Sequence, residues 1–289
     1  MSLAASELIL NPDGTIYHLN LAPGDIADTI ITVGDPERVT AITKHFDAIE
    51  VAVHKREFKT QTGYYKGKKI TVISTGIGTD NIDIVFNELD ALVNIDFETR
   101  TVKKEHTALQ FIRIGTSGAI QPEIEVDSWL LSTSAIGFDN LFWFYEGNEY
   151  LNDAFAEAFV RHMQWSKRKA YPYVIEADNG LISRFQYAKM MEGVTATNVG
   201  FYGPQGRQLR LSLDDTNLND KLASFVFEGQ RITNLEMETS GIYGMAKLLG
   251  HQAISLNAIL ANRATGTFSK SPEKTVEDLI RHTLETLVS

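Results

Sequence analysis

From Asp25 to the C-terminus, short apolar runs that read as buried strands alternate with segments whose apolar residues recur at helical spacing, joined by short connections. The strand candidates are 29–33, 69–74, 111–114, 195–199, 232–235 and 253–260. Helices are expected where Ile82, Val85, Phe86, Leu89 and Leu92 share one face, and again at Leu218, Leu222, Phe225 and Val226. The last helix has Ser271 as N-cap and Pro272 at its first position, with Val276, Leu279, Ile280, Thr283, Leu284 and Leu287 on one side. This alternation predicts one α/β domain spanning 1–289, with a central, mostly parallel mixed sheet flanked by helices. In such sheets ligands collect at the carboxyl ends of the strands.

Composition narrows the function. The chain has 289 residues and a formal charge of −10, which argues against a nucleic-acid polymer as partner because phosphate-backbone binding needs a basic face. A small anion is still compatible, since a few local arginines can hold phosphate inside an acidic protein. There is no cysteine, hence no disulfide and no thiolate nucleophile, and the histidines are scattered without metal-ligand spacing. No apolar run approaches a membrane span and no export signal is evident, so a cytoplasmic protein without a structural metal is expected.

Several strand-end segments carry candidate chemistry. In FIRIGTSGAIQ (111–121) Arg113 lies inside an apolar run, where an unpaired guanidinium would be costly, so it needs an anion or a carboxylate. Gly115 and Gly118 would let the backbone approach a ligand, and the Thr116 and Ser117 hydroxyls could donate to oxyanions. A bound anion and a plain ion pair fit equally. In TVGDPER (32–38) Gly34 permits a tight turn with a free N–H and Arg38 lies one turn into a helix, although a surface pairing of Arg38 with Asp35 or Glu37 is the plainer reading.

His18 in IYHLNL and Arg56 in HKREF read by themselves as an ordinary histidine and a strand-edge charge. FYGPQGR (201–207) could present the Gln205 amide and Arg207 guanidinium to the edge of a planar heterocycle with Phe201 on its face, or form a simple Gly-Pro turn. NLEMET (234–239) places Glu236 and Glu238 where a strand enters a helix; alternation aims both to one side with Met237 opposite. They would either favour the helix dipole or accept from vicinal sugar hydroxyls. LANR (260–263) ends the last strand with Asn262 and Arg263. The polar stretch 94–110 and the aromatic stretch 138–150 interrupt the alternation. The latter reads as a lid, a subunit interface or a core cluster.

Taken in order, HLNL, VGDPER, HKREF, STGIG, RIGTSGAIQ, FYGPQGR, NLEMET and LANR, across residues 18–263, resemble the nucleoside phosphorylase family of uridine phosphorylases, purine nucleoside phosphorylases and related nucleosidases. FYxxQxR is similar to the uracil pocket of the uridine enzymes. The resemblance implies phosphate binding by Gly34, Arg38, Arg113 and Thr116, with Arg56 from a neighbouring subunit. It implies ribose binding by Glu238 and Met237, with Glu236 beside the sugar and His18 approaching the 5′-hydroxyl from that neighbour. Phe201, Gln205 and Arg207 would take uracil, and Arg263 would support their pocket.

The implied reaction is phosphorolysis of a pyrimidine nucleoside such as uridine, with inorganic phosphate as co-substrate, in a homo-oligomer (a dimer or a trimer of dimers). No metal is implied, and a monovalent cation is possible, though Thr79, Asp80 and Asn81 replace the small residues the family carries after GIG. In the purine enzymes an acidic residue near the end of the last strand assists the leaving base; Asn262 stands there, which favours a pyrimidine. A purine phosphorylase, a nucleosidase and a non-catalytic nucleoside-binding protein are the alternatives. Retention of Arg38, Arg56 and Arg113 argues against hydrolysis, which needs no phosphate cage.

Overall fold

The computed structural model describes residues 2–289. Its main strands are β1 (Thr29–Val33), β2 (Ala48–Lys55), β3 (Phe58–Tyr65), β4 (Lys68–Ser74), the short β5 (Ile95–Asp96) and β6 (Thr101–Val102), and β7 (Gln110–Ala119). They continue with β8 (Trp129–Gly137), β9 (Tyr173–Glu176), β10 (Met190–Thr197), β11 (Val226–Phe227), β12 (Gln230–Glu236), β13 (Gln252–Asn262) and β14 (Thr267–Phe268). The helices are α1 (Pro36–Thr43), α2 (Thr79–Asn94), α3 (Asp153–Met163), α4 (Asn179–Phe185), α5 (Leu218–Ser224), α6 (Thr239–Leu248) and α7 (Pro272–Val288).

One large sheet runs β11-β12-β10-β8-β13-β7-β1-β4-β3-β2. The ladders β4–β1, β1–β7, β7–β13, β8–β10 and β10–β12 are parallel, as the alternation of strands and helices requires. The sheet is mixed because β13 meets β8 antiparallel and the hairpin β2–β3–β4 extends one edge antiparallel. At the far end β12 also pairs with β7, at Asn234 with Ala119 and Leu235 with Gly118. The strands β7, β13, β8, β10 and β12 therefore close into a ring, and β7 belongs to both the ring and the open sheet.

This double duty explains a departure from the sequence reading, in which a loop follows Ile114. Strand β7 continues to Ala119, its first half beside β1 and its last residues beside β12, because small residues there allow the bend between them. Val226 does not extend the helix at Leu218; that helix stops at Ser224, and Val226, 57% exposed, opens β11. The start of α7 is at Pro272, but the Ser271 hydroxyl makes no capping bond, and only its carbonyl accepts from Thr275 N.

Helix α2 buries Ile82, Val85, Phe86 and Leu89 fully, with Phe86 stacked on Phe111 of β7 at 4.2 Å between ring centroids. Each such side chain contributes roughly 1.5–3 kcal/mol. Helix α6 is buried from Thr239 to Ala246, so its N-terminus opens at the centre of the molecule, where β12 ends. The stretch 94–110 forms the β5–β6 hairpin, whose Arg100 binds the carbonyls of Leu3 and Ala4 at 2.9 Å and so ties down the N-terminal segment. In the aromatic stretch Phe138 and Phe142 are core residues, while Phe144 is 81% exposed; Tyr145 donates to Asp83 of α2 at 2.5 Å.

Candidate active site

The ends of β1, β7 and β12 meet the N-terminus of α6 around a cleft of about 790 Å³. Arg113 forms its floor. One guanidinium nitrogen donates to Glu238 at 2.7 Å and lies 3.1 Å from Glu236; the other donates to Asn257 at 2.8 Å and Ser255 at 3.3 Å. Strand register places Ser255 and Asn257 of β13 opposite Arg113 and Gly115, so the side chain crosses over Gly115 to reach them. A Cβ on Gly115 would fall 1.8 Å from the guanidinium. Gly115 is therefore required by Arg113 and not by close approach of a ligand to the backbone. At Gly118, which does line the cleft, a Cβ would meet nothing nearer than 3.9 Å. Burial opposes the charge on Arg113, but Glu236 and Glu238 outweigh it and hold its pKa above the ordinary value.

The two glutamates have different work. Glu236 accepts from the backbone N–H groups of Glu238 and Thr239 at 2.8 and 2.9 Å and from the Thr197 hydroxyl at 2.7 Å, so it caps α6 from before its first turn. Glu238 accepts from Gly78 N at 2.9 Å with one oxygen and from Arg113 with the other. Burial, reinforced by the neighbouring Glu236, pushes its pKa up against the pull of Arg113. Both carboxylates reach Arg113. Met237 does not point away from them: β12 ends at Glu236, alternation stops, and Met237 lines the cleft as well.

Arg38 faces the same cleft from the first turn of α1. Asp35, its expected surface partner, instead caps the helix by accepting from Glu37 N at 2.8 Å. Arg38 is half-buried and forms no ion pair or side-chain hydrogen bond among the described residues; burial and the charge of Arg113 both depress its pKa. Gly34 and Thr116 line the cleft beside it. Two guanidiniums and a hydroxyl thus converge where an anion would be held.

Across the cleft the loop after β10 brings Phe201, Gln205 and Arg207 to the opposite wall. One Arg207 nitrogen donates to the Phe201 carbonyl and to the Gln205 side-chain oxygen, each at 2.7 Å, and its guanidinium lies 3.8 Å over the Phe201 ring. Burial and the nearby Arg263 lower the Arg207 pKa to about 10, so it is charged at neutral pH. Arg263 donates to the carbonyls of Gln205 and Gly206 at 3.0 and 3.3 Å and holds the loop without itself lining the cleft.

The sequence model of the phosphorylase superfamily matches residues 28–288. The chain belongs to that superfamily. It is 34% identical over 269 residues to the uridine phosphorylase of Thermococcus kodakarensis, covering 91% of this chain and 83% of the relative. It is 29% identical to a DeoD-type purine nucleoside phosphorylase of Streptococcus pyogenes, covering 94% and 98%. Among solved structures, the Trypanosoma brucei nucleoside phosphorylase described as showing uridine phosphorylase activity superposes with a TM-score of 0.87 at 30% identity, over 98% of this chain and 99% of that one.

In this phosphorylase-superfamily chain the cleft gathers Gly34, Arg38, Arg113, Thr116, Phe201, Gln205, Arg207, Glu236, Met237 and Glu238. It does not include His18 or Arg56. His18 is held by Glu88 of α2, and Arg56 is exposed at the tip of the β2–β3 hairpin with φ +56°. Asn262 turns away: its amide donates to Gln121 O and Ile124 O and accepts from Ala264 N and Thr265 N. Sequence reasoning missed Ser255, Asn257 and Thr197, which position Arg113 and Glu236. The available signal was polar residues at alternate places in otherwise apolar strands. It also missed Phe268, 70% exposed on β14 at the cleft rim.

A larger cavity of about 900 Å³ lies on the other side of Arg207, walled by Phe138, Trp165, Tyr202, Leu209 and Leu213. It lacks the set of Arg38, Arg113, Glu236 and Glu238 that the smaller cleft gathers. Asp90, His106 and His251 cluster with ligand atoms within 4.8 Å of one another. Leu109 N donates to His251 Nδ1, which leaves the ring proton on Nε2, the atom facing Asp90 at 3.2 Å. With Nδ1 accepting and Nε2 protonated, the ring offers no lone pair to a metal.

Proposed function

We propose that this chain catalyses phosphorolysis of uridine: phosphate attacks C1′ as the bond to uracil breaks, giving ribose 1-phosphate and uracil. The observation that carries the reading is Arg38, half-buried beside Arg113 in the cleft and without a carboxylate partner among the described residues. Such a guanidinium is stabilised by an anion, and phosphate bound there lies on the same floor as Glu238, the natural acceptor for ribose hydroxyls. No covalent enzyme intermediate is needed. The work is to place phosphate and sugar together and to stabilise charge on the departing base.

The base subsite selects uracil. Because the Gln205 side-chain oxygen is taken by Arg207, Gln205 offers its N–H groups, and Arg207 a positive charge, to the carbonyl oxygens where uracil accumulates charge. Asn262, committed to backbone groups, offers no acid to a purine N7. Inorganic phosphate is the co-substrate, and the reaction as proposed uses no metal. His18 and Arg56 are assigned to a neighbouring copy's site, so the working form is a dimer or a trimer of dimers. No helix of the described residues is long and apolar enough to cross a membrane, and a cytoplasmic location is proposed.

Purified protein incubated in phosphate with uridine, inosine and thymidine tests the base assignment. Uridine should be consumed and inosine left intact. Cleavage of inosine in its place would leave the phosphate site standing and overturn the roles of Gln205 and Arg207.

A further inference from the structure

The N-terminal segment that carries His18 is not held by its own turn alone. Its backbone reverses at Asn20, which adopts φ +56°, and Ile16, Leu19 and Leu21 anchor it in the core. The polar side of the turn closes on a single carboxylate. Glu88, two-thirds of the way along α2, accepts from His18 N at 3.0 Å and from Leu19 N at 2.8 Å, and its Oε1 lies 2.6 Å from His18 Nδ1. The imidazole packs edge-on to Tyr17 and Phe58, with ring centroids 4.7 and 6.4 Å away. Nε2 has no hydrogen-bond partner among the described residues.

We propose that Glu88 is a positioning residue for substrate: it fixes both the orientation and the tautomer of His18, and through His18 it sets recognition of the nucleoside 5′-hydroxyl in the neighbouring copy's site. This rests on the assignment of His18 made under the proposed function. A carboxylate can only accept from Nδ1, so the neutral ring carries its proton there and Nε2 is left as an acceptor. An acceptor at that place accepts a hydrogen bond from the 5′-hydroxyl and favours a ribose that has one. The two backbone N–H bonds to the same carboxylate fix the ring's distance from α2, so the acceptor is presented at one position. Helix α2 begins at Thr79, directly after the Gly78 whose N–H binds Glu238, so one rigid helix links a ribose-binding carboxylate of this copy to the histidine offered to its neighbour.

The test uses the whole oligomer, with uridine and 5′-deoxyuridine as substrates. In Glu88→Gln an amide N–H₂ replaces an acceptor that faces backbone N–H groups, so the turn loses its register. The kcat/KM for uridine should fall about tenfold, the worth of one hydrogen bond, with phosphate KM unchanged. The kcat/KM for 5′-deoxyuridine should stay at the wild-type value. His18→Ala should show the same discrimination, and the double variant should lose no more than either single one.

Equal losses on both substrates in Glu88→Gln would reduce Glu88 to a structural contact and overturn the proposal, as would additive losses. If His18→Ala treats the two substrates alike, the His18 assignment itself has failed; if His18→Ala discriminates and Glu88→Gln does not, only the Glu88 inference has failed. Ring nitrogen shifts of His18 in the wild-type protein, by ¹⁵N NMR, need no variant: protonated Nδ1 and bare Nε2 are expected, and the opposite tautomer would overturn the proposal.

Discussion

At the scale of single residues, the centre of the site is a guanidinium threaded over a glycine. Gly115→Ala would force Arg113 off Asn257 and Glu238, and a calorimetric stability loss of about 1–3 kcal/mol is expected together with a raised phosphate KM. Gly118→Ala, whose Cβ would meet only ordinary contacts from 3.9 Å outward, should be nearly silent in stability; equal losses of stability in the two would refute the account of Gly115. Arg207→Ala should lower turnover of uridine far more than it weakens phosphate binding, because Arg207 lies across the cleft from Arg38 and Arg113, on the wall proposed for the base. Steady-state kinetics with each substrate varied decides this, and parallel losses would contradict the role. Arg113 and the glutamates were legible as residue types, since a buried arginine demands an anion, although the strand alternation expected to align Glu236 and Glu238 ends at Glu236. The role of Gly115 was not, because a glycine beside an arginine looks the same whether it makes room for a ligand or for the arginine.

At the scale of elements, α6 depends on a carboxylate that precedes it. Glu236 satisfies two N–H groups of the helix start, the Thr197 hydroxyl and part of the charge on Arg113. Glu236→Ala removes all of these in a buried place, and a loss of about 3–5 kcal/mol in urea unfolding is expected. A loss under about 1 kcal/mol would show that Glu236 serves the sugar alone. The sequence placed β1, β4, β7, β10, β12 and β13 and the amphipathic helices α2 and α7, whose buried positions are largely aliphatic or aromatic. It left out β3 and β8, whose inward residues include Thr60, Thr62, Ser132 and Ser134, all buried but polar. Closure of the ring through β12 and β7 was beyond local pattern, since it rests on the pairing of Leu235 with Gly118, far apart in the chain.

At the scale of the whole molecule, the cleft gathers Arg38, Arg113, Glu238 and the wall of Phe201, Gln205 and Arg207 from one chain, while His18 and Arg56 lie outside it. If a neighbour supplies them, two crippled variants should repair each other. Arg38→Ala and Arg56→Ala mixed, unfolded and refolded together should recover roughly a quarter of wild-type activity, since half the dimers are hybrids and each holds one complete site. No recovery would place Arg56 outside the reaction. The central claim, that the cleft exists to bring phosphate to a nucleoside, is tested most directly by the phosphate dependence of uridine cleavage. With phosphate removed, uracil release should stop, and restoring phosphate should yield ribose 1-phosphate in equal amount to uracil. Release of uracil and free ribose at the same rate without phosphate would contradict the account and make the enzyme a hydrolase.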